Sequence, residues 1–259
     1  MKLKLTYVLL LAILVFTGCD NSTDETPLPE NSLAALIQDL GLPIQRDSLI
    51  ACAASGQNGF LQEASGQPVS VIYLPLENAE STWYFETESL VADKTDYSLY
   101  TRANLSESPL LNGFLRKFRH PGSDQEVIGI VASVRGGKLF LSNEINIKYS
   151  NQPTDFDPQQ ISIDQSTALM PRFSWPASEQ AEDAIYFHVV SDAQNNLISG
   201  TYTFDQEFQF YNLDNVVLNI NDTDPAPALQ SGEANRISVM AVSEDNWVNF
   251  FGSREFRTD

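Results

Sequence analysis

Short apolar runs separated by turn residues constrain the fold of this chain more than any other feature. VSVIYL, EVIGIVASV, AIYFHVV and RISVMAV are apolar on both faces, which is typical of central strands in a β-sandwich. EINIKY and NVVLNIN alternate apolar and polar residues, as strands with one buried face do. No sustained helical periodicity follows residue 45. The sequence therefore predicts an all-β body of antiparallel sheets.

The segment NQPTDFDPQQ, residues 151–160, divides this body. It has two prolines, two acidic residues and no strand character. A boundary there leaves one sandwich over residues 46–151 and a second over residues 152–259. Each half is about the length of one seven-stranded sandwich. A long hairpin closes each half, and Gly136-Gly137 is the clearest turn signal because glycine readily takes a positive φ.

The second half carries a resemblance to a known fold. It begins with PRFSWP, whose Trp175 would fill a core, continues with IYFHVV and ends in a hairpin with a small polar tip. This order resembles fibronectin type III domains, and KLFLSNEINI in the first half resembles the last strand of that fold. The resemblance implies two immunoglobulin- or fibronectin-III-like antiparallel β-sandwiches in tandem. It implies little about function, because many sandwich families share these motifs.

The N-terminal residues have the pattern of an export signal. Two lysines precede an apolar run, Tyr7 to Phe16, which is too short to span a bilayer. Phe16-Thr17-Gly18-Cys19 resembles the lipobox of bacterial lipoproteins, although Phe16 replaces the usual leucine-like residue. That resemblance implies a lipoprotein signal peptide over residues 1–18 and fatty acylation of Cys19, for example by palmitate. The alternative is an ordinary secretory leader with Cys19 as a free thiol.

Together with the sandwiches, the lipobox resembles lipoproteins that are abundant in the outer membranes of Bacteroidota. The resemblance implies a lipid-anchored protein of the cell envelope, held at the outer membrane. Residues 19–45 would then contain the lipidated Cys19, an acidic tether and one short helix. NSLAALIQDLG predicts this helix, with Asn31 or Ser32 as N-cap and Gly41 just past its end.

The charge balance excludes one class of partner. The chain has 34 Asp and Glu against 15 Lys and Arg, a formal net charge of −19. Such a surface repels phosphate backbones, so we expect no nucleic-acid binding. Once Cys19 is lipidated, Cys52 has no partner for an intrachain disulfide, and its apolar surroundings predict a core position.

Motifs for catalysis or cofactor binding are absent from the sequence. It contains no HExxH, no GxSxG and no phosphate-binding glycine loop, and we expect neither a cofactor nor an enzyme. His188 is predicted to be a core or interface histidine, and His120 precedes a proline in a turn. The basic cluster FLRKFRH either binds an anionic group or protects an edge strand from pairing with other chains.

Two kinds of binding site are candidates. Exposed aromatic rings bind sugars and protein partners, and alternate rings on a strand point to opposite faces. Some of Trp247, Phe250 and Phe251 are therefore candidates for a ligand surface, with core packing as the alternative. In NINDTDP, Asn219, Asp222 and Asp224 offer the oxygen ligands that Ca²⁺ prefers, although a turn stabilised by its own side chains is favoured there. Asp155 and Asp157 in TDFDP have the same two interpretations, a cation site or a turn stabilised by its own side chains.

Three functions are compatible with these features. The first is a membrane-anchored, non-enzymatic binding or scaffolding module for a protein or glycan partner. The second is a glycan-capturing accessory of an outer-membrane polysaccharide-uptake system. The third, less favoured, is a glycoside-acting enzyme with a pair of carboxyl groups on a sandwich.

Overall fold

The structure is a computed structural model that describes residues 27–56, 69–91, 93–122, 124–149, 151–178, 182–221 and 225–259. Within these residues it contains a single α-helix, α1 (Leu33–Leu40). Ser32 is the N-cap and accepts a hydrogen bond from the Ala35 N–H at 3.1 Å. Gly41 (φ 58°) ends the helix by donating its N–H to the Ile37 carbonyl. The predicted helix is confirmed, and no described helix is long and apolar enough to cross a membrane.

The first half of the chain forms two sheets. Sheet A has the strand order β1-β9-β8-β4-β5, with β10 also paired to β8, and sheet B has the order β2-β3-β7-β6. The strands are β1 (Ile44–Leu49), β2 (Ala51–Ser55), β3 (Val69–Tyr73), β4 (Ser81–Glu86), β5 (Thr101–Ala103), β6 (Ser106–Leu110), β7 (Leu115–His120), β8 (Val127–Arg135), β9 (Lys138–Ser142) and β10 (Ile145–Ile147). Gly136 and Gly137 both have positive φ between β8 and β9, which confirms the predicted hairpin.

The second half forms two further sheets. Sheet C has the order β11-β19-β18-β14-β15-β17, and sheet D has the order β12-β13-β16. The strands are β11 (Asp155–Phe156), β12 (Ser162–Asp164), β13 (Arg172–Ser174), β14 (Ile185–Asp192), β15 (Leu197–Thr203), β16 (Glu207–Gln209), β17 (Val216–Asn219), β18 (Ala234–Val242) and β19 (Val248–Arg257).

Both halves have the same plan. A first strand pairs in parallel with a late strand of its half, β1 with β9 and β11 with β19, and the next strand joins the opposite sheet. The other pairings are antiparallel. These are the two-sheet sandwiches of immunoglobulin- and fibronectin-III-like folds, as the sequence predicted.

The four sheets are stacked in the order A, B, C, D. Buried apolar clusters lie between sheets A and B, between B and C, and between C and D, and α1 covers the outer face of sheet A. On β3, Val71 and Tyr73 face sheet A while Ile72 faces sheet C. Sheets B and C therefore have no solvent face over their central strands. This explains why the predicted central strands are apolar on both sides.

The segment 151–160 differs from its prediction. Asp155 and Phe156 form β11, which pairs with Phe250 and Phe251, and Pro158–Gln160 is a 3-10 helix capped by Asp157. The sequence TDFDP shows no strand pattern because a two-residue strand is too short for a visible alternation. Here β11 adds an edge strand to sheet C.

Candidate functional site

A polar cleft of about 160 Å³ opens at the β16 edge of sheet D, on the face that points away from sheet C. Its floor is formed by β13 and β16, whose pairing places Arg172 opposite Gln209 and Ser174 opposite Glu207. The Arg172 guanidinium lies 3.4 Å from both the Glu207 carboxylate and the Gln209 side-chain carbonyl. The cleft is lined by Arg172, Asp205, Glu207, Gln209, Asn212, Asp214 and Asn215.

The loop between β16 and β17 forms the second wall of the cleft. The Asn212 side chain accepts a hydrogen bond from the Asp214 N–H at 2.9 Å, which holds a tight Asx turn. Asn215 donates its amide to the Asp205 carboxylate at 3.3 Å and to the Glu207 carbonyl at 3.0 Å. Side-chain hydrogen bonds therefore fix the wall and leave carboxylate oxygens directed at solvent.

Exposed apolar side chains lie close to the lining residues of this cleft along the chain. Phe204, next to Asp205, is 66% exposed, the largest exposure among the large apolar side chains that the structure describes. Val217 and Leu218 on β17 are 47% and 43% exposed. We call the cleft together with Phe204, Val217 and Leu218 the sheet-end surface. It combines hydrogen-bonding groups with exposed apolar area.

Three carboxylates in one cleft raise the question of acid catalysis. Glycoside hydrolysis uses a pair of carboxyl groups, and the general acid of such a pair is usually desolvated. Asp205, Glu207 and Asp214 are all exposed to solvent. These three carboxylates therefore lack the desolvation that such a general acid has.

The prediction of an exposed aromatic ligand surface is wrong. Trp247, Phe250 and Phe251 are 0%, 3% and 1% exposed. Trp247 packs between sheets A and B, Phe250 between C and D, and Phe251 between B and C. Alternate rings do point to opposite faces, but sheets B and D cover the two faces of sheet C.

The predicted calcium ligands are only partly within the described residues. The Asn219 side-chain carbonyl accepts the Asn221 N–H at 3.1 Å, and its amide donates to the Tyr211 hydroxyl at 2.6 Å. Asp222 and Asp224 lie outside the described residues. In TDFDP, Asp157 caps its 3-10 helix by accepting the Gln159 N–H. Asn219 and Asp157 thus make the turn hydrogen bonds that were the alternative to metal binding.

The basic cluster is part of a central strand. β7 pairs with β3 on one side and β6 on the other, so the interpretation as edge protection is wrong. Arg116 makes an ion pair with Glu107 at 2.6 Å, and the Tyr73 hydroxyl donates to the same carboxylate. Burial would raise the pKa of Glu107, but the hydrogen bonds from Arg116 and Tyr73 outweigh it and leave the pKa below its ordinary value.

Both histidines are buried, and each makes at least one side-chain hydrogen bond. His188, as predicted, is a core residue, and burial lowers its pKa to about 3. His120 accepts the Gly122 N–H at Nδ1, 3.0 Å away, and its Nε2 lies 2.8 Å from the Glu86 carboxylate. The Gly122 contact leaves Nε2 to carry the proton and donate it to Glu86.

The structure describes one of the two cysteines. Cys19, the predicted lipidation site, lies outside the described residues. Cys52 is a partly buried free thiol that packs against the cluster between sheets B and C. Burial raises its pKa to about 12, so the thiol stays protonated and unreactive.

Sequence reasoning missed the sheet-end surface. Its residues come from the start of β13, the β15–β16 turn, β16 and the β16–β17 loop, which only the sheet pairing brings together. Its local signal in the sequence is the polar run DQEFQFYNLDN, in which acidic and amide residues are interspersed with aromatic ones.

The topology defines a protein of two stacked immunoglobulin- or fibronectin-III-like sandwiches, with a polar cleft beside sheet D. No protein-family model matches the sequence, and no curated protein matches it. Among solved structures, the chain is similar to the FN1–FN3 domains of chicken CNTN1, with 11% identity and a TM-score of 0.29. The match covers 84% of this chain and 68% of that chain. The fold assignment rests on the strand pairing and not on this likeness.

Proposed function

We propose that the protein is a lipid-anchored, non-enzymatic binding or scaffolding module of the cell envelope, held at the outer membrane through Cys19. The lipobox-like sequence around Cys19 supports the anchor. The sheet-end surface is the observation that carries the binding role, because it joins a hydrogen-bonding cleft to an aromatic ring that is 66% exposed. A protein partner would contact the cleft and the exposed apolar side chains together.

Photocrosslinking in intact cells tests this role. A photoreactive phenylalanine derivative replaces Phe204 in the full-length protein, and a matched control places it at Tyr149, another exposed aromatic residue, 36% exposed, in the first half of the chain. We expect a discrete crosslinked species at position 204 and none at position 149. Absence of any adduct at position 204, or the same adducts at both positions, would contradict the proposed surface.

Glycan capture is a second candidate, favoured by the same exposed ring. Aromatic platforms bordered by amide and carboxylate groups bind sugar rings, and Phe204 directly precedes Asp205, whose carboxylate accepts a hydrogen bond from Asn215. Affinity electrophoresis in gels that contain soluble polysaccharides measures it. Glycan capture predicts retardation that is lost in Phe204→Ala, whereas unchanged mobility in every polysaccharide would exclude it.

A further inference from the structure

β17 leaves an open edge on sheet C. On its inner side, Thr201, Tyr202 and Thr203 of β15 pair with β17. Among the strands that the structure describes, none pairs with the outer side of β17. Alternate backbone N–H and C=O groups of an edge strand point away from its sheet, and another extended chain can bind them.

Neighbouring parts of the chain cover two of the other edges. The Ala53 N–H of β2 donates to the Asn246 carbonyl at 3.0 Å, so the turn between β18 and β19 covers the edge of β2. Ser32 forms a bridge with Thr101 and covers the edge of β5. These two edges are not open to a partner.

Charged residues, a proline or short length protect the remaining edge strands against pairing. β6 carries Glu107 and Pro109, and β1 has an irregular register and contains Arg46 and Asp47. Three of the remaining edge strands, β11, β12 and β16, have only two or three residues and each contains an acidic residue. The last, β10, has three residues, and its Asn146 N–H donates to the Asp245 carbonyl at 2.9 Å. Such features are how proteins prevent unwanted strand pairing.

β17 carries neither the charge nor the proline of these strands; it has four residues and one irregularity in its register with β15. Its sequence, VVLN, contains no charge and no proline, and Val217 and Leu218 are exposed. An apolar open edge either aggregates or accepts a partner strand.

The surroundings of β17 select the charge of that partner strand. Asp205, Glu207 and Asp214 are exposed near its start, where Asn215 donates to the Asp205 carboxylate and the Glu207 carbonyl. Arg172 is held by Glu207. The whole chain has a net charge of −19. A second copy would bring the same negative groups together, whereas a basic segment would be attracted.

From this geometry we infer that β17 binds an extended, lysine- or arginine-rich segment of a partner protein as an added strand. The inference rests on the proposed binding function and names the partner's chemistry. Backbone hydrogen bonds along β17 supply the pairing, Val217 and Leu218 contact apolar side chains, and the acidic groups attract the basic ones.

A designed peptide tests strand addition. The probe is a short fluorescent peptide in which lysine alternates with valine, and fluorescence anisotropy measures its binding to the full-length protein in detergent. We expect affinity that falls with rising salt and is lowered about tenfold or more by Val217→Lys, because a lysine there repels the basic strand. Val217→Thr keeps the edge uncharged, and Ser162→Lys adds the same charge on β12, so both should bind like the native protein.

A second peptide separates strand pairing from simple charge attraction. It has the same sequence but carries N-methyl groups at alternate residues, which removes the backbone donors along one edge. Strand addition predicts that this peptide binds about tenfold more weakly or worse, and equal binding would overturn it. Thermal unfolding followed by circular dichroism confirms that each variant is folded.

The outcomes distinguish this inference from the proposed function. If the lysine peptide does not bind, but a partner crosslinks at position 204 or a polysaccharide retards the protein through Phe204, strand addition is overturned and the proposed binding function stands. If sedimentation shows a dimer that Val217→Lys abolishes, the β17 edge binds a second copy of the chain, and the inference of a basic partner is overturned. If the peptide, the crosslinking and the polysaccharide gels all give no binding, both proposals fail.

Discussion

His188 is a neutral histidine in the core of the second half. Its Nδ1 lies 2.8 Å from the Thr201 hydroxyl, and its ring stacks on Phe208 with centroids 4.3 Å apart. Its Nε2 has no hydrogen-bond partner among the described residues. A protonated ring would place an unpaired charge in this cluster, which is why burial lowers the pKa from 6.5 to about 3.

This histidine makes the fold sensitive to acid. Below pH 6.5 the unfolded chain binds a proton at His188 while the folded protein does not, until the pH approaches about 3. Within this window the residue lowers the free energy of unfolding by up to about 1.4 kcal/mol for each unit that the pH falls. His188→Phe keeps a flat ring and removes the titration.

Urea unfolding at several pH values measures this effect. We expect the difference in unfolding free energy between His188→Phe and the native protein to shift in favour of the variant as the pH falls from neutral to about 4. Subtracting the two curves removes the contribution of the carboxylates, which both proteins share. If the unfolding free energies of the two proteins change in parallel with pH, His188 is not the buried neutral histidine described above.

At the scale of single elements, local sequence predicted α1 and the central strands well. Ser32 and Gly41 hold both helix ends through contacts within a few residues. The rings of β19 were predicted less well, since strand alternation sets opposite faces for Phe250 and Phe251 but not what covers each face. Sheet B, from the other half of the chain, covers one of them. Non-local pairing of β13 with β16 likewise assembles the cleft of the sheet-end surface, which local patterns could not reveal.

Trp247 joins the two halves at the turn between β18 and β19. It packs between sheets A and B, and its indole N–H donates to the Gln152 carbonyl at 2.8 Å. We expect Trp247→Ala to lower the free energy of unfolding by about 3–5 kcal/mol because it opens a large cavity and leaves that carbonyl unpaired. Denaturant unfolding measures it.

Tyr149→Ala is the matched control for this loss. Tyr149 is another large aromatic residue, but it is 36% exposed, so its removal should cost far less. Equal losses for the two variants would show that Trp247 does not lie in the core between the sheets.

The whole molecule is a continuous stack because sheets B and C share a buried cluster. Ile72 and Leu115 of sheet B pack in it with Phe187, Met240 and Phe251 of sheet C. Hydrogen bonds also cross between the halves, including those of Asn246 with Ala53 and Glu144. Exposing this cluster would cost a large hydrophobic free energy, so neither half is expected to unfold alone.

Calorimetry tests this coupling between the halves. We expect a single transition whose calorimetric and van't Hoff enthalpies agree, and we expect Phe251→Ala to lower the Tm of that one transition. Two resolved transitions in the native protein would show that the halves unfold independently.

The proposed role of the whole molecule depends most on its lipid anchor. Cells that express the full-length protein or Cys19→Ser are labelled with radioactive palmitate, and the protein is recovered from membrane and soluble fractions. A lipidated Cys19 predicts a labelled native protein in the membrane fraction and an unlabelled variant that leaves it. A native protein without label, or a Cys19→Ser variant that remains labelled and membrane-bound, would contradict the anchor.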